Sequence, residues 1–179
     1  MKILQVIIVS AITLFSTGCA YNLNVGSKEA AAKGIKYNYD KFEKTAWLTT
    51  EVYQSGTDEP ITQYYLRAHY TANSTAPDYI QIYGQMFSQI GWCFLDSAFD
   101  DTGYSYKFNK VDKSVDSGVY AGQVMIQEHF ALTLPLERLE SFAQKDYELK
   151  ASGKKCDSLF KVDQRVSAAF LDAIKKRRL

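Results

Sequence analysis

The stretch Thr62-Gln63-Tyr64-Tyr65-Leu66-Arg67-Ala68-His69-Tyr70-Thr71 decides the fold class. In an extended chain successive side chains point to opposite sides. Tyr64, Leu66, Ala68 and Tyr70 then share one side, and Tyr65, Arg67, His69 and Thr71 the other. Such alternation predicts an antiparallel strand covered on one face. Upstream, Thr45 to Gln54 alternates Ala46, Leu48, Thr50 and Val52 with Trp47, Thr49, Glu51 and Tyr53. The intervening Gly56-Thr57-Asp58-Glu59-Pro60 reads as a loop.

Downstream, the turn formers Asn73 to Asp78 precede a third strand from Tyr79 to Met86. Gly91 marks a bend, a bulge or a short second strand at Trp92-Cys93-Phe94-Leu95, and Asp96 to Gly103 reads as a turn. Tyr104 to Asp112 is a further strand, Lys113 to Gly118 a polar hairpin loop, and Val119 to Leu134 the strand that closes the sheet. Val124, Ile126, Phe130, Leu132 and Leu134 line one of its faces, with Glu128 as the exception. A carboxylate on an apolar face needs a partner, and Arg67 is one candidate.

At Pro135 the period changes. Leu136, Leu139, Phe142, Ala143 and Tyr147 keep helical spacing, so a helix is expected from Pro135 to about Lys150, ending at Gly153. Ser158 to Val162 reads as a short strand, and Asp163 as the N-cap of a last helix. Val166, Ala169, Phe170, Ala173 and Ile174 form that helix's apolar stripe. The fold class expected is α+β: an antiparallel sheet of about five to six strands with two C-terminal helices packed on one face.

The N-terminus carries a different message. Met1-Lys2 is followed by a mostly apolar run from Ile3 to Phe15, too short to span a bilayer. Charge, short apolar core and small residues in that order read as a secretory signal. Ser16-Thr17-Gly18-Cys19 resembles the bacterial lipobox, with Ser16 where leucine is usual. That resemblance, to bacterial lipoproteins, implies cleavage before Cys19 and a diacylglyceryl (palmitate-type) anchor on its thiol. Ala20 after the cysteine, rather than aspartate, implies sorting to the outer membrane, facing the periplasm. The expected organisation is thus a signal peptide over residues 1–18, a lipidated cysteine and tether over 19–36, and one globular domain over 37–179. Within the tether, Ser27 caps a short helix over Lys28 to Lys33 that Gly34 ends.

Removing the signal takes away Lys2, leaving 20 basic and 20 acidic residues. A neutral chain carries no overall electrostatic footprint for nucleic acid, and none is expected as a partner. With Cys19 acylated, Cys93 and Cys156 remain, an even pair in an oxidising compartment, and a disulfide between them is expected.

No nucleophile elbow, phosphate loop, Cys-x-x-Cys or His-Glu-x-x-His motif occurs. His69 and His129, the two histidines, fall on polar strand faces. The aspartates Asp96, Asp100 and Asp101 match no calcium-loop spacing and suit turn chemistry. No catalytic residue, metal ligand or cofactor is therefore assigned. Tyrosine is abundant, at 13 residues, and suits both half-buried strands and contact surfaces. The sequence points to a lipid-anchored interaction module with an envelope protein partner. Its candidate binding surface is Trp47, Tyr65, His69 and Glu128. The alternative is a carrier or sensor of a small ligand, with a pocket between sheet and helices.

Overall fold

A computed structural model describes residues 25–55, 60–71, 74–120 and 123–177. The signal segment, Cys19 and the start of the tether lie outside the described residues. Among those described, ten strands form two antiparallel sheets, joined by three helices. The larger sheet contains β1 (Lys36–Asp40), β2 (Thr45–Thr49), β3 (Tyr53–Ser55), β4 (Ile61–Thr71), β5 (Tyr79–Ser88), β7 (Lys107–Tyr120) and β8 (Gln123–Thr133). Its order is β1-β2-β4-β5-β8-β7, with β3 also paired to β4. The smaller sheet runs β10-β9-β6, from β6 (Leu95–Asp100), β9 (Tyr147–Gly153) and β10 (Asp157–Val162). The helices are α1 (Lys28–Lys33), α2 (Leu136–Phe142) and the C-terminal α3 (Gln164–Arg177).

The alternation of β4 is realised: Tyr64, Leu66, Ala68 and Tyr70 are buried, while Tyr65, Arg67 and His69 are half-buried on the opposite face. The expected strand from Thr45 to Gln54 is broken at its middle. Thr50 Oγ1 accepts the Leu66 N–H at 3.0 Å and donates to the Glu51 carbonyl at 2.8 Å. A side-chain oxygen thus takes a backbone partner's place and splits the run into β2 and β3. Gly84 of β5 lies under the Phe130 ring, where a Cβ would collide with the ring carbons.

Three expectations are corrected. Lys113 to Gly118 is not a loop, because β7 continues through it against β8, with a bulge between Lys110 and Asp112. The segment is polar because β7 is an edge strand with much of its surface in water. Asp96 to Gly103 is not a turn throughout: β6 occupies its first half, and the turn begins at Asp100, whose Oδ1 accepts from the Thr102 and Tyr104 N–H groups. The helix from Pro135 stops at Phe142, and Tyr147–Gly153 is a strand with Tyr147, Leu149 and Ala151 buried. Tyr147 satisfies helical spacing from Ala143 and strand spacing to Leu149 at once. The sheet content therefore exceeds the expected five to six strands.

One continuous core joins the inner face of the large sheet to the helices and the small sheet. Phe160 of β10 packs near Tyr64 and Phe130. Asp163 caps α3, accepting the Arg165 N–H at 2.8 Å, and the stripe Val166, Ala169, Phe170 and Ile174 is buried. Helix α3 lies along β4: the Asp163 N–H donates to the Tyr64 hydroxyl at one end, and Arg177 covers the Tyr70 ring at the other. The Ser27 cap of α1 forms, its Oγ accepting the Ala30 N–H at 3.2 Å. The helix is docked, not free: Ala31 is buried, Lys28 pairs with Asp172, and Arg165 donates to the Gly26 carbonyl at 2.8 Å. The part of the expected tether from residue 25 onward thus packs on the domain. Among the described residues no helix is long and apolar enough to cross a membrane.

Cys93 and Cys156 form a disulfide, with Cα atoms 4.7 Å apart, within the usual range. Thiol titration of the denatured, unreduced protein should find neither side chain reactive; two free thiols would contradict the bridge.

Candidate binding surface

The face of the large sheet turned away from the helices is where the half-buried polar and aromatic strand residues meet. Residues paired directly across antiparallel strands share a face. The pairings Trp47 to His69 to Tyr79, Arg67 to Gln81, and Tyr65 to Tyr83 to Ala131 therefore place these side chains together. Their planar groups form a ladder. Tyr65 stacks on Tyr83 at 4.9 Å between ring centres. The Arg67 guanidinium lies 4.5 Å from the Tyr83 ring centre and 4.7 Å from that of Trp47. Trp47 meets His69 edge-on at 4.9 Å, and His69 stacks on Tyr79 at 5.0 Å. Cation–π and aromatic contacts of this kind each add about 0.5–1.5 kcal/mol, so the ladder is a rigid surface.

Polar contacts lock it further. Arg67 Nε donates to Gln81 Oε1 at 2.9 Å, and Gln85 donates to Gln127 at 2.9 Å. His69 Nδ1 lies 2.9 Å from Asp78 Oδ2, and His129 Nδ1 lies 3.0 Å from the Tyr83 hydroxyl. Burial holds His129 below the usual imidazole value, against the pull of Asp112, so it is neutral at neutral pH. Burial also raises the Tyr83 phenol, with Tyr65 adding to it and Arg67 opposing. At the end of β5 a groove of about 230 Å³, lined by Pro77, Tyr79, Thr133, Pro135 and Leu136, opens beside this surface.

Of the sequence-derived candidates, Trp47, Tyr65 and His69 therefore come together. Glu128 does not join them. It pairs across to Met86, on the inner face, and is 3 % exposed. Its carboxylate accepts the N–H groups of Cys93, Phe94 and Leu95 at 2.6, 2.8 and 3.0 Å. Arg67 is on the opposite face and is not its partner; Lys113 Nζ is the nearby cation, at 3.9 Å. The role of Glu128 is to hold the Gly91–Leu95 loop, in which Phe94 adopts a positive φ of 58°.

A second buried ionic group was not visible in sequence. Asp100, whose side chain is inaccessible, pairs with Arg138 of α2, accepts from the Tyr106 hydroxyl at 2.6 Å and from the Thr102 hydroxyl at 2.6 Å. Burial disfavours its charge, but hydrogen bonds from Thr102, Tyr106 and Tyr104 outweigh that and hold the carboxyl below its ordinary value. A carboxyl that titrates lower in the folded chain contributes stability above its unfolded value of about 3.9 and loses it as pH falls through the folded value. The stability measured by urea unfolding should therefore fall on acidification below about pH 4, and Asp100→Asn should flatten that part of the profile. An unchanged slope would remove Asp100 from the acid response. Among the described residues no three His, Cys, Asp or Glu side chains gather to hold a metal ion; Asp101 pairs instead with Lys145, at 3.8 Å.

No protein-family model, no curated protein and no solved structure matches this chain.

Proposed function

We propose that the chain is a non-enzymatic binding module, held at the outer membrane through a lipid on Cys19, that meets another envelope component with the open face of its large sheet. The observation that carries this reading is the ladder of Tyr65, Tyr83, Arg67, Trp47, His69 and Tyr79 on the face that none of the described helices covers. Trp, Tyr and Arg are the side chains that dominate binding hot spots. Rigid rings also lose little entropy when they are covered. Support for a face rather than an internal pocket comes from the core. Tyr64, Phe130, Phe142, Phe160 and Phe170 fill the space between the layers, and the groove beside Tyr79 is open.

The test uses a benzophenone amino acid, which inserts into C–H bonds of any neighbouring molecule. Placed at position 65 and irradiated in intact envelopes, it should give adducts of raised mass. Placed at 148, on the solvent side of the small sheet, it should give none. Adducts at 148 and not at 65 would move the binding surface elsewhere.

A further inference from the structure

Strand β1 ends the large sheet. β2 lies on one side of it, and among the described residues no strand lies on the other. All five of its residues, Lys36-Tyr37-Asn38-Tyr39-Asp40, are exposed. An open edge presents unpaired N–H and C=O groups, and folds ordinarily blunt it. The other edges show such devices. β7 carries a bulge between Lys110 and Asp112, β6 one between Leu95 and Ser97, and on β10 the Lys161 N–H donates to Ser55 Oγ at 2.6 Å. β1 runs in unbroken register from Lys36 to Asp40.

Its sequence is symmetric about Asn38. A tyrosine stands one place away on each side, and charges of opposite sign stand two places away. Paired antiparallel with a copy of itself about Asn38, the strand sets Asn38 against Asn38, Tyr37 against Tyr39 and Lys36 against Asp40, the last two twice over. A two-fold contact asks for this self-complementarity. Aromatic pairs and opposite charges directly across strands are favourable, and like charges are not. Any other register loses both charge pairs.

Within one chain Lys36 and Asp40 cannot meet, because four residues of extended strand hold them about 14 Å apart. Among the described residues neither forms an ion pair. Asp40 Oδ1 accepts the Phe42 and Glu43 N–H groups at 2.8 and 3.1 Å, which leaves Oδ2 for a cation. Tyr37 is already ordered, with the Arg177 guanidinium 3.9 Å from its ring centre and donating to its hydroxyl at 3.0 Å. Tyr39 is 56 % exposed and would be covered by Tyr37 of the second copy.

We infer that β1 is the edge through which a second copy of this chain extends the large sheet, antiparallel and centred on Asn38. The partner is the chain itself because the strand's own charges complement it. The pairing joins two open faces into one. Asn38, Trp47, His69 and Tyr79 lie on one rung, so each rung continues through the two Asn38 residues into the other. The two Trp47 positions then stand three strand spacings, about 14 Å, apart. Five residue pairs fall short of the roughly 1,200 Å² that a stable interface buries. Anchored chains meet in the plane of one membrane, where raised effective concentration offsets that deficit. The inference goes beyond the reading of the open face as a binding face and stands without it.

The test is cysteine cross-linking in intact envelopes of cells making the full chain, under mild oxidation with copper phenanthroline. On the two-fold axis residue 38 meets itself at about 4.5–5.5 Å between Cα atoms, within reach of a disulfide. Asn38→Cys should therefore yield a band at twice the chain mass, at least about ten-fold above the unsubstituted chain. Val111→Cys, exposed on the β7 edge, should not. In the Asn38→Cys background, Lys36→Asp should cut the linked dimer about ten-fold by setting acid against acid, and Asp40→Lys should do the same with bases. The two together should restore it to within about two-fold. Asp40→Lys also removes the turn acceptor, but the double variant lacks it too, so recovery there reports the charge pairing alone. No linked dimer from Asn38→Cys, an equal yield from Val111→Cys, linkage of the Asn38→Cys chain to a different protein, or no recovery in the double variant would each overturn the inference. Photo-adducts at position 65 in any of those cases would leave the open face as the binding surface of a single copy.

Discussion

Replacing Glu128 with alanine is expected to lower the stability of the folded chain by about 3–5 kcal/mol, the range for breaking a buried charged network. The carboxylate is the shared acceptor of three successive backbone N–H groups, those of Cys93, Phe94 and Leu95. Cys93 is wholly buried and Leu95 nearly so. Without the carboxylate, the buried donors of Cys93 and Leu95 and the part-buried donor of Phe94 lose their acceptor, and each buried bond left unmade costs about 1–3 kcal/mol before the loop relaxes. Relaxation is restricted from two sides. Cys93 is tied to Cys156, and its carbonyl accepts the Lys155 N–H at 3.1 Å. Gly153 also presses against the Cys93 carbonyl so closely that a Cβ there would overlap it. Glu128→Gln should fall in between, because its amide keeps an acceptor for Cys93 and Phe94 but turns a donor toward Leu95. Urea titration of the two variants measures this. A Glu128→Ala loss below about 1 kcal/mol would mean that the three bonds carry no net stability.

Phe170→Ala should cost about 3–5 kcal/mol, for a different reason. The side chain has no measurable exposure and lies in the stripe that α3 lays on the inner face of the large sheet. Deleting the ring removes its transfer energy and leaves a cavity whose walls belong to two different layers. Neither layer collapses readily: α3 is pinned at its start by Asp163 against the Tyr64 hydroxyl and along its length by α1. Thermal melting read by circular dichroism should show the drop. An unchanged midpoint would mean that α3 does not pack on the core.

The two substitutions also mark what could be read from sequence. The α3 stripe and its Asp163 cap were legible because every signal lay within fourteen residues, at one period. The alternation of β4 and the cap at Ser27 were legible for the same reason. Glu128 stood out as a carboxylate on an apolar face, yet its partners are main-chain groups, which leave no mark in side-chain patterns. Arg67 was the natural guess from charge alone, and strand parity puts it on the other face. Strands β6 and β9 were hidden by competing local readings: Asp96, Asp100 and Asp101 look like a turn, and Tyr147 extends a helical spacing. The small sheet exists because the β9–β10 hairpin meets β6, which comes from a distant part of the chain. The ladder was half visible, since Trp47, Tyr65 and His69 could be assigned to strand faces.

The docking of α1 sets a length. A chain acylated at Cys19 has six residues from the anchor to Val25, where the described fold begins. Even fully stretched, six residues reach about 20 Å. The mooring line leaves the body beside Arg165, at the Tyr64 end of β4, while Trp47 and Tyr79 sit beside His69 toward the other end. If the proposed acylation of Cys19 holds, such a module would stand within about 20 Å of its anchor.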